Sequence, residues 1–313
     1  MKCKRCRNAA AAVDLPSHHS AFCPDCFFVF FRRQVEEGIR KFSLLDTRDR
    51  VLVCVSGGKD SLVLWDILME LGYDTEGLYI DLGIDGYSER SGEKIASFAA
   101  SRGKEPIVVD LRREGVPIPE TAKRSRREEC SVCGTVKRYF FNQVAISRGF
   151  TVVATGHNLD DEAARLLGNM MHWHRDHLER QHPLLPETGH GLVRKVKPLW
   201  RLSEMETAAY GFLKGIDYVT EECPMSHDAT SLIYKEALSL IEEKMPGTRS
   251  KFYQGFLTER GTFLNFLTNK GSESPGLSSG DPSGKCSSCG APTHARTCGF
   301  CRLKEKVEKG ATR

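Results

Sequence analysis

With 313 residues and a net charge of +4, the chain is long enough for one sizeable α/β core plus small appendages, and its total charge does not by itself announce a nucleic-acid partner. No apolar run approaches bilayer length, and the N-terminal MKCKRC lacks the apolar core of a secretory signal, so the expectation is a cytoplasmic protein. Twelve cysteines in that setting argue for metal rather than disulfides.

Residues 1–27 read as a short module anchored by Cys3, Cys6, Cys23 and Cys26. Two CxxC knuckles on either side of a loop are the spacing of a tetrahedral zinc held by four thiolates. His18 and His19 inside the loop are surplus and read as exposed. A helix over about 28–42 leads into a core expected to span 28–269.

That core alternates strands and helices. Strands are expected at Val51–Val55, Thr75–Leu82, Pro106–Leu111, Phe150–Thr155 and Val193–Pro198. Helices are expected at Asp60–Leu71, Arg90–Ser101, Thr135–Ser147, Leu159–Met171, Ser203–Gly215, Ser231–Glu243 and Thr248–Leu267, with Gly103 and Gly149 as stops. The alternation implies an α/β fold, a doubly wound parallel sheet with ligands beyond the carboxyl ends of its strands. Residues 270–285 are a Gly/Ser/Pro linker. A second knuckle module, Cys286, Cys289, Cys298 and Cys301, occupies 286–313 with a basic tail, and its tighter spacing is the stronger zinc signal.

Three constellations carry chemistry. In VLVCVSGGKDS a buried strand stops at Ser56-Gly57-Gly58 and a helix opens at Lys59-Asp60-Ser61. Glycines let backbone N–H groups approach an anion, the helix start supplies unpaired donors, and Lys59, Ser56 and Ser61 add charge and hydroxyls. The spacing is not that of a Walker A loop. In TGHNLDDE, Asp160, Asp161 and Glu162 open a helix, which is good capping chemistry. The same strand-end position also suits carboxylates that hold Mg²⁺ or move a proton, and it favours Asp161 for that role. In ECSVCGTVKRY, Cys130 and Cys133 stand with a distant Cys223 in EECPM. Three thiolates suit a [4Fe–4S] cluster with one open iron; unclustered thiols or a Cys130–Cys133 redox pair remain alternatives. Cys54, inside a strand, reads as a small apolar filler.

The run Lys123–Arg127, with Arg112-Arg113, Lys137-Arg138, Arg194-Lys195 and Lys197, reads either as solvated surface or as an RNA-backbone contact, and its position beside the thiols favours RNA. His172, His174, His177 and His182 with Trp173 read as a solvated loop.

Together the N-terminal knuckles, VSGGKDS, CSVCGTVKRY, VVATGHNLDDEA, EECP with SLIYKEAL, and the C-terminal knuckles resemble the TtuA-type tRNA 2-thiolation enzymes over almost the whole length. This is a branch of the PP-loop ATP pyrophosphatase superfamily that includes archaeal and eukaryotic wobble-uridine thiolases. The resemblance implies ATP held by the backbone near Cys54, by Ser56, Gly57, Gly58, Lys59, Asp60 and Ser61, and by Ile80 and Gly156. It implies a [4Fe–4S] cluster on Cys130, Cys133 and Cys223, catalytic roles for Lys137 and Asp161, and structural zincs on the two terminal cysteine sets. It also implies tRNA as substrate, Mg²⁺, a ubiquitin-like thiocarboxylated sulfur donor and a homodimer. Some relatives use His as the fourth N-terminal zinc ligand, where this chain has Cys26. The implied reaction adenylates a uridine C2 oxygen and replaces it with sulfur held on the open iron, at either a T-loop or a wobble uridine. Rival readings are cytidine 2-thiolation, a lysidine-type ligase and a non-catalytic zinc-ribbon RNA-binding protein. The zinc knuckles argue against the first, the three extra thiols against the second, and SGGKDS at a strand end against the third.

Overall fold

The computed structural model describes residues 1–189, 191–226, 230–268 and 284–310. The chain begins with a small hairpin, β1 (Val13–Leu15) and β2 (Ser20–Phe22), and runs into α1 (Pro24–Phe42). Helix α1 starts at Pro24 rather than at Phe28, because proline is favoured in a first turn, and Cys26 therefore sits on the helix. Its buried positions Phe27, Phe31, Val35, Gly38 and Ile39 recur at helical spacing and form one face.

The core follows as β3 (Arg50–Val55), α2 (Lys59–Glu70), β4 (Asp74–Asp81), α3 (Tyr87–Ser101), β5 (Ile107–Asp110), α4 (Ile118–Ser125), α5 (Glu129–Ser147), β6 (Val152–Thr155), α6 (Leu159–Met171), α7 (Arg175–Glu179), β7 (Leu184–Leu185), β8 (Arg194–Val196), α8 (Glu204–Leu213), α9 (Thr230–Lys244) and α10 (Thr248–Thr268). The sheet order is β5-β4-β3-β6-β8-β7, parallel except for the short β7, which runs antiparallel to β8 at one edge. The chain winds outward from β3 to β5 and then returns to β6. The carboxyl ends of β3 and β6 therefore meet at the switch point, where ligands bind in such sheets.

Alternate residues of β3 face opposite layers. Val51, Val53 and Val55 join a core with α1, α2, α6, α8 and the N-terminal cysteine module, whereas Leu52 and Cys54 join a second core with α4, α5 and the C-terminal module. Both faces of the strand are thus covered, which is why it reads as a continuous apolar run. Among the described residues no helix is long and apolar enough to cross a membrane.

Three expectations are corrected. Helix α5 begins at Glu129 rather than Thr135, so Cys130 and Cys133 are helical. Helix α4 lies where no element was expected; its prolines sit before or within the first turn, which tolerates them, and Ile118, Thr121, Ala122 and Ser125 form its buried stripe. The C-terminal module is built of β9 (Gly284–Lys285), β10 (Pro292–Thr293) and α11 (Gly299–Gly310), so the last two residues assigned to the linker are strand. The rest of that linker lies outside the described residues. The module does not hang free: the Phe300 ring stacks on Tyr139 of α5 at 3.9 Å between centroids.

Candidate functional site

Strand β3 ends at Val55 and α2 begins at Lys59, leaving Ser56-Gly57-Gly58 as the turn. Gly57 has φ +82°, and a Cβ there would lie 3.0 Å from the Ser91 backbone, so the turn requires glycine. Ser61 ties the loop together: its Oγ accepts from Ser56 N–H at 3.1 Å and donates to the Gly58 carbonyl at 2.9 Å. Gly156, after β6, approaches this helix start so closely that a Cβ would stand 2.9 Å from Asp60 C and Ser61 N. The two strand ends therefore meet at the N-terminus of α2, where a helix start offers unpaired amides and a positive dipole end.

A chain of charges borders it. Lys59 Nζ lies 3.0 Å from Asp60 Oδ2 and 2.7 Å from Glu204 Oε1. Lys235 Nζ bridges Glu204 at 3.4 Å and Asp161 at 2.6 Å. Burial opposes the ammonium of Lys59, but Asp60 and Glu204 outweigh it and hold its pKa above the ordinary lysine value. The three acids at the start of α6 part company. Asp161 closes a capping box with Asn158 and pairs with Lys235. Asp160 turns away to Arg249 and the Glu204 amide. Glu162 is fully buried against Lys197 at 2.7 Å and the Tyr253 hydroxyl at 3.1 Å. Of the three, Asp161 joins the chain of charges that runs through Lys235 and Glu204 to Lys59. Burial works against its charge, but His157 and Lys235 prevail and keep its carboxyl below the usual range. His157 itself is lowered to about 4 by burial and by the nearby Arg165 and Lys197.

On the other side of β3 a cavity of about 110 Å³ joins Cys54, Ser56 and Ile80 to Tyr87, Cys133, Lys137 and Cys223. Cys130, Cys133 and Lys137 follow one another at i, i+3 and i+7 on α5, so all three share one helix face. Cys130 Sγ lies 3.4 Å from the Met225 carbonyl, within the segment that carries Cys223. Burial and the neighbouring Cys133 and Cys223 push the Cys130 thiol up. Cys133 and Cys223 thus line the cavity beside Ser56, while Cys130, one helical turn before Cys133, is not among its lining residues.

The cysteines fit two kinds of occupant. Around a tetrahedral ion with Zn–S of about 2.3 Å, sulfurs stand about 3.8 Å apart. Cys6 and Cys23 sulfurs are 3.9 Å apart and Cys289 and Cys298 sulfurs 3.7 Å, and each four-cysteine set converges within 4.8 Å. The Cys130, Cys133 and Cys223 sulfurs do not converge as a single-ion set. Three thiolates are the ligand number of a [4Fe–4S] cluster with one open iron. No three carboxylate or imidazole ligands converge at the loop among the described residues.

Several expected cations have other partners. Arg112 pairs with Asp85 and Glu89, and Arg113 with Asp110. Arg124 is bound to Glu120 and to the Val307 carbonyl. Arg194 pairs with Asp49, and Lys197 is buried with Glu162. Lys195 is near Cys54, and burial pushes its pKa down. The histidine patch is only partly a solvated loop. His172 and His174 stack, His172 meets the Tyr234 hydroxyl at 2.9 Å, and both line a 410 Å³ groove with His157, Asp161, Arg165 and Lys235. His182 packs edge-on against Phe42 instead. Lys235, Glu204 and Tyr87 were not anticipated as site residues. Nothing in local spacing marks them, since their partners lie far along the chain.

Residues 31–229 match the PP-loop domain, and residues 2–28 match the N-terminal LIM domain of the 2-thiouridine synthetase TtuA. The chain is 46% identical to the tRNA-5-methyluridine(54) 2-sulfurtransferase of Thermus thermophilus, over 99% of this chain and 93% of that one. It is 39% identical to the protein of the same name from Pyrococcus horikoshii, over 98% and 96%. Among solved structures it is similar to the U34-tRNA thiolase NcsA from Methanococcus maripaludis with its [4Fe-4S] cluster, at TM-score 0.74 and 25% identity over 85% of this chain and 88% of that one.

Proposed function

The chain belongs to the PP-loop family, in its branch of TtuA-type tRNA 2-sulfurtransferases, and on that premise we propose that it uses ATP to activate the C2 oxygen of a tRNA uridine and exchanges that oxygen for sulfur, in the cytoplasm. The observation that carries the reading is the single cavity shared by Cys54, Ser56 and Ile80 with Cys133, Lys137 and Cys223.

Adenine lies against the backbone of Cys54 and Ile80. The phosphates lie on Ser56–Ser61, with Gly156 admitting the close approach and Lys59 opposing their charge. Mg²⁺ carried in with the nucleotide would supply further positive charge against the triphosphate. The uridine must leave its stack to reach this depth. Its C2 oxygen attacks the α-phosphorus and pyrophosphate departs. The ionised Asp161 accepts the N3 proton as O2 becomes nucleophilic, and the Lys137 ammonium offsets the charge that develops. Adenylation matters because an amide-like oxygen is a poor leaving group and AMP is a good one. A sulfur nucleophile then adds at C2 and AMP leaves with the oxygen. Held by Cys130, Cys133 and Cys223, a [4Fe–4S] cluster would supply an iron without a protein ligand as the place for that sulfur. Cys3, Cys6, Cys23 and Cys26, and Cys286, Cys289, Cys298 and Cys301, would hold structural zinc.

The T-loop 5-methyluridine is the target we favour, since the more similar relatives carry that nucleoside in their names. The fold of the U34 thiolase favours the wobble uridine as a second reading. A ubiquitin-like thiocarboxylate as donor and a homodimer complete the proposal. Anaerobic incubation with ATP, Mg²⁺, sulfide and unmodified tRNA, followed by nucleoside mass spectrometry and mapping, tests it. Pyrophosphate release without 2-thiouridine would reduce the protein to an adenylating enzyme.

A further inference from the structure

We propose that the C-terminal cysteine module is a brace for α5, so that metal binding at Cys286, Cys289, Cys298 and Cys301 fixes where Cys130, Cys133 and Lys137 point. The inference deepens the reading above and rests on it for the role of the thiols.

The geometry is one of a clamp from behind. Phe300 stacks face to face on Tyr139 at 3.9 Å with 7° between planes, and meets Phe140 edge-on at 5.3 Å. A Cβ on Gly299 would come within 3.1 Å of Thr135 Cγ2, so α11 starts in direct contact with α5. Arg124 of α4 donates to the Val307 carbonyl at 2.8 Å, anchoring the far end of α11. By helical periodicity Thr135 and Tyr139 lie on the side of α5 away from Cys130 and Lys137. The module therefore bears on the back of the helix whose front faces the cavity.

The first turn of α5 needs this support. Its N-cap, Glu128, makes no side-chain capping bond, and Cys130 is solvent-exposed. The module in turn needs its metal, because a unit of this size has too little apolar core to fold alone. Phe300 lies between Cys298 and Cys301, so closing those ligands on an ion sets the ring against Tyr139. Cys286, Cys298, Phe300 and Leu303 share one buried cluster with Val132, Val136 and Phe140. Coupling of this kind is reciprocal: whatever orders α5 also tightens the module's hold on zinc.

Hydrogen exchange on the full-length, zinc-loaded, iron-free chain tests the brace without any reaction. In Phe300→Ala the amides of α5 from Cys130 to Phe140 should exchange at least about tenfold faster, while those of α6 stay unchanged. Phe300→Tyr, which keeps the stack, should restore the wild-type rate. After anaerobic reconstitution with iron and sulfide, Phe300→Ala should also show altered cluster absorption and paramagnetic resonance spectra, and Phe300→Tyr should not. Unchanged exchange in α5, or equal acceleration in α5 and α6, overturns the proposal. A wild-type chain that takes up no iron counts against the cluster, and the exchange data then decide the brace alone.

Discussion

Lys59 Nζ rests 2.7 Å from Glu204 Oε1, although 145 residues separate the two in sequence. The ammonium that would meet the phosphates is thus held by an acid from α8 until an anion competes for it. Lys59→Ala removes the point charge without touching the glycine turn. ATP-dependent pyrophosphate release with tRNA should fall about 100-fold or more, the scale for losing one preorganised electrostatic contact. The fold should survive, as judged by circular dichroism. Retention of most pyrophosphate release would remove Lys59 from the reaction.

Cys130 is exposed and contributes little to either core. Cys130→Ala should therefore leave pyrophosphate release near the wild-type rate while 2-thiouridine falls to background. Measuring both products in one incubation separates activation from sulfur transfer. Equal thiolation by this variant would refute a role for the trio.

Gly156→Ala inserts a methyl 2.9 Å from the backbone of Asp60 and Ser61. The two strand ends must separate, at a cost of about 1–3 kcal/mol. That strain falls on the phosphate loop, so nucleotide binding measured by calorimetry should weaken by about tenfold or more. Affinity equal to wild type would mean that the approach of the two loops has no part in holding ATP.

Glu162, Lys197 and Tyr253 form a buried ionic cluster beneath the site. Burial opposes the Glu162 charge, yet Lys197 and Arg165 overcome it and keep the carboxyl below its ordinary value of 4.5. Glu162→Gln leaves Lys197 buried and unpaired, at about 3–5 kcal/mol of stability. The pH dependence follows from the same signs. Both His157, at about 4 against an ordinary 6.5, and Glu162 bind fewer protons when folded than when unfolded. Their contribution is fully present above about pH 6.5. The His157 part is lost as pH falls toward 4, and the Glu162 part as pH falls on below 4.5. Denaturant midpoints between pH 7 and 3 should decline in that order, and the Glu162→Gln profile should lack the lower step.

The phosphate loop and the parallel sheet were legible because β3 is buried on both faces, and a valine-rich run ending in Gly-Gly has few other uses. The start of α5 was not, because Cys130, Gly134 and Thr135 blur the apolar period that marks a helix. Helix α4 was hidden by Pro117 and Pro119, which look like breaks and instead flank its opening turn. For Asp161, capping and site chemistry read as rivals in the sequence. The side chain closes the capping box and also pairs with Lys235, so the first does not exclude the second. Lys235 and Glu204 reach the site only through tertiary folding; Lys235 sits in the SLIYKEAL motif, but its role depends on partners far along the chain.

Each end of the chain seals a different face of the sheet: the first cysteine module joins the layer of α1 and α2, the last joins that of α4 and α5. Removing the last module would uncover the rear of the thiol-bearing helix and leave the layer of α1 and α2 covered. A nascent or prematurely stopped polypeptide would have its nucleotide loop but an unseated thiol helix.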